Sequence, residues 1–430
     1  MSLKDYTKLD ISGDYRPSNN DWETAGWLIG QKDNLTELRL GRLWDYSGEI
    51  TRGVLEPLWK GIAQNTSITK LVLDKYHLFG GAKFFTILLV FFEQNTNLES
   101  LVICSTTNDI NDKGAKALGK CLERSKSLTH FKIIKNTKIS KKGWGSLFDS
   151  CLTSTHCKLS HLSLFESRID DDSAMLLAEA LRKNTSIKTL DLGKIPIKRA
   201  GWDHIFSFLK CPDCTVEDLR LHHNRLDSSA TAALASSLAH NRTLKRLSLK
   251  HNYGWISSEW FTAFSSLLQS SNCGLEELNL SGISIDDKSV VALAWSLAKN
   301  QRLKRLLIGD AYFNMGDDAV SALSQLLCNK SSIMATYNSN HTLQQFTGHL
   351  SHYKVQPFLQ LNRDLNKCVI RRRKILMAHF DVQERSGRIN VQPFVDVELG
   401  VLPYAIAWMA KDCYGFSLLY EFLPVLFSEI

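Results

Sequence analysis

The chain reads as an α/β solenoid, a stack of short units in which parallel strands line a concave face and helices cover a convex one. Three observations predict it. A signature of the form L-x-x-L-x-L recurs along most of the chain, its copies are spaced by 28 to 33 residues, and polar residues able to open a helix follow it at a regular place. With the middle apolar residue as marker, the copies fall at Leu9, Leu38, Leu71, Leu101, Phe131, Leu162, Leu190, Leu219, Leu247, Leu278 and Leu306, with a degenerate twelfth at Thr336. A stack grows by adding units, so 430 residues count as one elongated repeat domain, 1–345, followed by a helical capping region, 346–430.

The elements follow in order. Tyr6 to Ile11 already reads as a strand, so the first unit starts almost with the chain, and Trp22 and Trp27 in the next helix are expected to shield the open end of the core. In the unit from Lys158 to Asn184, Leu159, Leu162 and Leu164 point inward at strand spacing. Asp170 to Ser173 then supply acceptors for free backbone N–H groups, and Ala174 to Lys183 carry apolar residues at helical spacing. The same grammar returns at Asp227 before 230–240, at Asp286 before 290–299 and at Asp317 before 319–328. After Leu343 it stops. Residues 356 to 380 suggest one helix, and 392 to 427 suggest two more, with Phe394, Leu402, Trp408 and Phe416 available for burial.

A longer period overlies the short one. Some strands are preceded by an asparagine, Asn184, Asn241 or Asn300, and others by Cys157, Cys214 or Cys273, while Trp144, Trp202 and Trp260 open every second helix 58 residues apart. Units of this length, alternating in this way, resemble the ribonuclease-inhibitor-like class of leucine-rich repeats, also found in NOD-like receptors and Ran GTPase-activating proteins. The resemblance covers roughly residues 6 to 345 and implies a leucine-rich-repeat horseshoe. Where that class often carries Asn or Cys three residues after the last strand leucine, Asn224 and Asn252 fit and Ser167, Ile195, Ile283 and Ala311 do not, so an incomplete side-chain ladder is expected. Tyr337 to Leu343, Arg373 to Leu376 with His379-Phe380, and Val401 to Trp408 look like leucine-rich-repeat proteins of diatoms and related protists, a likeness that carries no activity with it.

Composition excludes several classes. A net charge of +8 is mild for this length and reads as a solvated surface. The longest apolar runs, 84–92 and 399–410, fall far short of the ~20 residues that span a bilayer, so no membrane segment is expected. The first residues, Met1 to Tyr6, show no basic region followed by an apolar run, and ten cysteines without a small disulfide-dense framework suit reduced thiols; both place the chain in the cytoplasm. N-x-S/T sequons occur at Asn34, Asn65, Asn184, Asn241, Asn279, Asn329 and Asn340. Asn65, Asn184 and Asn241 stand where a helix ends, so these are read as helix stops, a role that Asn fills by tolerating the left-handed conformation.

No familiar catalytic motif is present, and no cofactor or metal is expected. Cys211-Pro-Asp-Cys214 lacks the second ligand pair of a structural zinc, and Cys214 is explained by its repeat position. His222 and His223 should face opposite ways. The tryptophans at helix starts read as packing rather than as a base-stacking platform, and Arg371 to Lys374 as a solvated helix face rather than a phosphate site or import signal.

Function is then expected on a surface. Eleven strands at ~4.8 Å spacing give a curved sheet about 50 Å across, and its outward residues flank each marker. The candidates for partner contact are Lys70, His130, Lys132, His161, Asp191, Asp218, Arg220, Arg246, Glu277, Asn279 and Arg305, with Phe165, His222 and Lys250 extending the surface from the strand ends. Charges of both signs alternate here, which disfavours nucleic acid and favours a protein partner. Arg220, Arg246 and Phe165 are the expected anchors. The alternative from another class is a GTPase regulator, by resemblance to Ran GTPase-activating proteins, although those carry an acidic tail where this chain carries an apolar one with Arg371 to Lys374.

Overall fold

A computed structural model describes residues 6–13, 18–43, 55–74, 82–104, 110–156, 158–252, 258–270, 272–283, 285–309, 315–347, 352–363 and 366–379. It divides into two compact units, 1–254 and 255–430. In the first, strand and helix alternate as β1 (Lys8–Gly13), α1 (Asn19–Gly30), β2 (Glu37–Leu43), α2 (Leu55–Ile62), β3 (Lys70–Asp74), α3 (Ala82–Gln94), β4 (Ser100–Cys104), α4 (Asp112–Arg124), β5 (His130–Ile134) and α5 (Lys141–Leu152). The alternation continues as β6 (His161–Ser163), α6 (Asp171–Lys183), β7 (Thr189–Asp191), α7 (Arg199–Leu209), β8 (Asp218–Arg220), α8 (Ser228–Leu238) and β9 (Arg246–Ser248). The second unit holds α9 (Ser258–Gln269), β10 (Glu277–Ser281), α10 (Asp287–Leu297), β11 (Arg305–Gly309), α11 (Asp317–Leu327), α12 (Ile333–Tyr337), β12 (Gln345–Thr347), α13 (His352–Leu361) and α14 (Lys367–His379).

Within each unit every strand pairs in parallel with the next, and the markers meet in register: Leu9 with Leu38, Leu71 with Leu101, Leu162 with Leu190, Leu219 with Leu247, Leu278 with Leu306. All of these except Leu9 are buried, which is why the spacing of leucines alone fixes the register: a slip by one residue would turn the whole row to solvent. The fold is a leucine-rich-repeat solenoid.

Helix starts explain the two-unit period. α4, α6, α8 and α10 are capped by their own Asn111, Asp170, Asp227 and Asp286, each accepting from the N–H three residues on. α5, α7 and α11 have no such side-chain bond. Instead the N–H of Ser140, Lys198 and Gly316 donates to Asp112, Asp171 and Asp287 of the preceding helix at 2.8, 2.7 and 3.0 Å. Among the described helix starts, these four cap themselves and these three are capped by the preceding helix. Trp144 and Trp202, one turn inside these docked helices, are buried and stack on Phe148 and Phe206, while the side chain of Trp260 lies outside the described residues.

The asparagines at helix ends do more than stop a helix. Asn184 ends α6 in an extended conformation, φ −92°, so the expected left-handed stop is not what it supplies. Its buried amide donates to Leu152 O and accepts from the N–H of Ser186 and Ile187. Asn65, Asn95, Asn241, Asn300, Asn340 and Asn362 donate in the same way to carbonyls of the preceding repeat. Buried and bonded, Asn65, Asn184, Asn241 and Asn340 cannot present themselves as glycan acceptors. A second ladder runs through the turn after the strands: Asn224 donates to Leu192 O, Asn252 to Leu221 O, and Ser167 to Ile133 O. It is a mixed ladder, with serine standing in at one rung, and Cys157 and Ala311 lie outside the described residues.

Several expectations are corrected. Thr336 is no strand marker; it is buried in α12, and the true twelfth marker is Phe346, paired with Leu306, because this short helix lengthens the last repeat. The boundary drawn at 345 therefore falls inside β12. The single helix expected over 356–380 is two, α13 and α14; Asn362 ends the first on Asn340 and Leu343 carbonyls, and Asn366 opens the second. Asp317 sits in the first turn of α11 rather than at its cap. Trp22 is buried but Trp27 is 58% exposed. The basic run is a solvated face only in part: Arg373 is exposed, but Lys374 is fully buried and donates to Leu327 O and Asn340 O at 2.6 and 2.9 Å, and Arg371 lies over the Tyr337 ring. The helices expected over 392–427, like the apolar run 399–410, lie outside the described residues.

Candidate interaction surface on the strands

Because side chains alternate along a strand, the residues on either side of a buried marker share the opposite face. In the first unit this face begins with two interlocked ion groups, Lys8–Glu37–Lys70 and Asp10–Arg39–Asp74. The bond from Lys70, at 2.8 Å, holds the Glu37 carboxyl below its ordinary range. Glu37 and Arg39 flank a marker as clearly as Lys70 does and were legible in the pattern, but lay outside the expected set.

The middle of the face belongs to histidines. The rings of His130 and His161 stack at 3.9 Å, each with Nδ1 at 2.8 Å from the hydroxyl of the residue before it, Thr129 and Ser160. Burial first lowers the pKa of both; Lys132 then adds to the effect on His130, and His130, Arg220 and Lys132 to that on His161. Phe165 stacks on His222 at 5.2 Å although they are two repeats apart, because the intervening residue is Gly193: any Cβ there would strike the His222 ring. His223 meets the His222 ring edge-on at 5.8 Å and stacks on His251 at 4.6 Å. No sequence signal marks these stacks except equal offset from the marker, which applies to every repeat whether or not rings occupy it.

Asp191 and Asp218 are recessed, with side chains 15% and 9% exposed. Asp191 accepts from Ser163 and from the Gly193 N–H and stands 3.8 Å from His222. Asp218 was expected to face outward, but it is buried between Arg220 at 2.9 Å and Arg246 at 3.3 Å. Both arginines remain 47% exposed, and Lys132 and Lys250 are exposed with no carboxylate in ion-pair range among the described residues. In the second unit Glu277 pairs with Arg305, whose guanidinium also reaches Gln345, and Asn279 accepts from the Ser281 N–H. The expected residues thus fall into two groups, one on each unit.

Among the described residues no group of three or more His, Cys, Asp or Glu could hold a metal ion, and no helix is long and apolar enough to cross a membrane. Cys211 and Cys214 are free thiols, the latter buried and pushed up in pKa by that burial.

No protein-family model matches the chain. It is 29% identical over 219 residues to mouse (Mus musculus) NACHT, LRR and PYD domains-containing protein 14, covering 48% of this chain and 21% of that protein. It is 26% identical over 227 residues to the ribonuclease inhibitor of Sus scrofa, covering 53% of this chain and 48% of the inhibitor. The chain is thus similar to leucine-rich-repeat proteins of the ribonuclease-inhibitor-like kind. The chain spans from about a fifth to about half the length of these two relatives. Among solved structures, the complex of Rad7 and Elc1 in yeast aligns with a TM-score of 0.43 at 16% identity, covering 70% of this chain and 75% of that one. The GTPase-regulating alternative gains no support from these relatives.

Proposed function

We propose that this chain is a non-enzymatic, cytoplasmic interaction scaffold whose strand face receives a partner protein, with the residues after 345 serving as a helical cap. The observation that carries the reading is the row from β5 to β9, where His130, Lys132, His161, Phe165, Arg220 and Arg246 stand side by side on backbone held by parallel neighbours. Such side chains lose little freedom when a partner arrives, because the sheet has already ordered them. Arginines and aromatic rings are also the usual anchors of protein interfaces. One relative supports the same direction: ribonuclease inhibitor is named for the protein it acts on. The described cysteines are free thiols, as a reducing compartment would leave them.

A photo-crosslinking amino acid at Phe165, compared with one at the exposed Glu179 on α6, tests the face directly. A discrete protein adduct at Phe165 and none at Glu179 is expected, and it should vanish in the triple variant F165A/R220A/R246A. Equal labelling at both sites, or an adduct indifferent to the triple variant, removes the strand face from the reading.

A further inference from the structure

We infer that the stretch of strand face from β5 to β9 takes an acidic protein segment, its carboxylates meeting Lys132, Lys250 and the outer faces of Arg220 and Arg246. This rests on the strand-face reading above and adds the chemistry of the partner. The argument is one of unequal exposure. At the start of the face, Lys8, Arg39 and Lys70 are matched by Asp10, Glu37 and Asp74, so that end is balanced. From β5 onward four cations stand outward against two carboxylates, and both carboxylates are recessed and already engaged. A partner therefore meets positive charge first, and cations in excess of the carboxylates beside them select acidic surfaces.

Geometry sets the size of the segment. Lys132 lies on β5 and Lys250 just past β9, four strand spacings of about 4.8 Å apart, or roughly 19 Å. An extended chain covers that distance in about six residues. Between the ends, the stacked Phe165–His222 pair offers an aromatic platform for one side chain. A nucleic acid fits less well, since Phe165 and His222 are stacked on each other rather than open to a base, and the two carboxylates oppose a phosphate row.

The contact should tighten in acid. His130 is faced by Lys132, Glu99 and His161; His161 by His130, Arg220, Asp218 and Lys132; His222 by Asp191, His223, Arg220, Lys250 and Phe165. Burial keeps these imidazoles neutral above their ordinary pKa of 6.5 and somewhat below it. Charging them adds positive charge to the same surface, while glutamate carboxylates stay ionised down to about pH 4.3.

The test uses the full chain and a fluorescein-labelled, glutamate-rich peptide of about eight residues, with a lysine-rich peptide and an oligothymidylate of similar length as comparisons, read by anisotropy. We expect binding of the acidic peptide alone, a loss of about tenfold or more in K132E/K250E, and little change in K183E/K210E, which alters charge equally on exposed lysines of the helical side. Affinity should rise severalfold from about pH 7.5 to about pH 5.5, and much of that rise should be lost in H130Q/H161Q. Equal losses in the two charge-reversal variants, or tighter binding of the oligonucleotide, overturn the inference. If crosslinking at Phe165 still yields a discrete protein adduct, the scaffold reading survives that failure; if neither probe engages the face, both fall.

Discussion

Asn241 joins two repeats with one side chain: Nδ2 donates to Leu209 O at 2.8 Å, and Oδ1 accepts from the N–H groups of Thr243 and Leu244 at 3.0 and 2.7 Å. Alanine there leaves a buried carbonyl and two N–H groups to be solvated by nothing, so Asn241→Ala should cost on the order of 2–3 kcal/mol. A loss of that size in unfolding free energy, read from the urea midpoint and slope, is the expected readout; an unchanged midpoint would mean the ladder is ornamental to stability. Lys374 makes the opposite case, a charge buried for its bonds. Burial pulls its pKa from 10.5 down to about 7, so between those values the unfolded chain binds more protons than the folded one. Its contribution to stability is therefore complete above about pH 10.5 and lost as the pH falls towards 7. The second unit should resist urea better at about pH 9 than at about pH 7, and Lys374→Met should remove that slope. A slope that persisted in the variant would assign it to other groups.

Helix α7 has no cap of its own and takes its acceptor from Asp171 of α6 at 2.7 Å. Asp171→Ala should cost about 1 kcal/mol and fray the start of α7 while leaving α6, capped by Asp170, intact. Amide exchange resolved by peptide distinguishes this from a general loss, because protection should fall at 199–203 and not at 171–175. Helices α1 and α2 show a different economy of contact. Their backbones meet at Gly26, Gly30 and Gly61, and a Cβ on Gly61 would overlap the backbone of Gly26, which has no flexible end to yield. Gly61→Ala is expected to force the two helices apart at a cost of about 1–3 kcal/mol, and thermal unfolding unchanged from the parent would show that the contact gives way freely.

Contacts within each unit run between neighbouring repeats, so stability is a chain of local terms, not one shared core. The lesion at Gly61 should accordingly loosen α1, α2 and β2 and leave exchange protection at β6 to β8 at its original level; a uniform loss would mean the first unit unfolds as a block. The same locality explains which features could be read from residue order. Leucine spacing sets strand register, since an inward row of apolar side chains admits only one alignment, and Asp or Asn ahead of an apolar period opens a helix for reasons contained within a few residues. The expected residues that flank markers, from Lys70 to Arg305, lie beside buried leucines or phenylalanine for this reason, while Phe165, His222 and Lys250 stand three positions past theirs. Four things depended on what came to stand beside what. Asp218 sank between two arginines, Phe165 reached His222 across a glycine, alternate helices borrowed their caps, and Lys374 turned inward to meet the end of α11. Each involves partners about one or two repeats apart, and a pattern within one repeat holds no record of which side chain its neighbour will present.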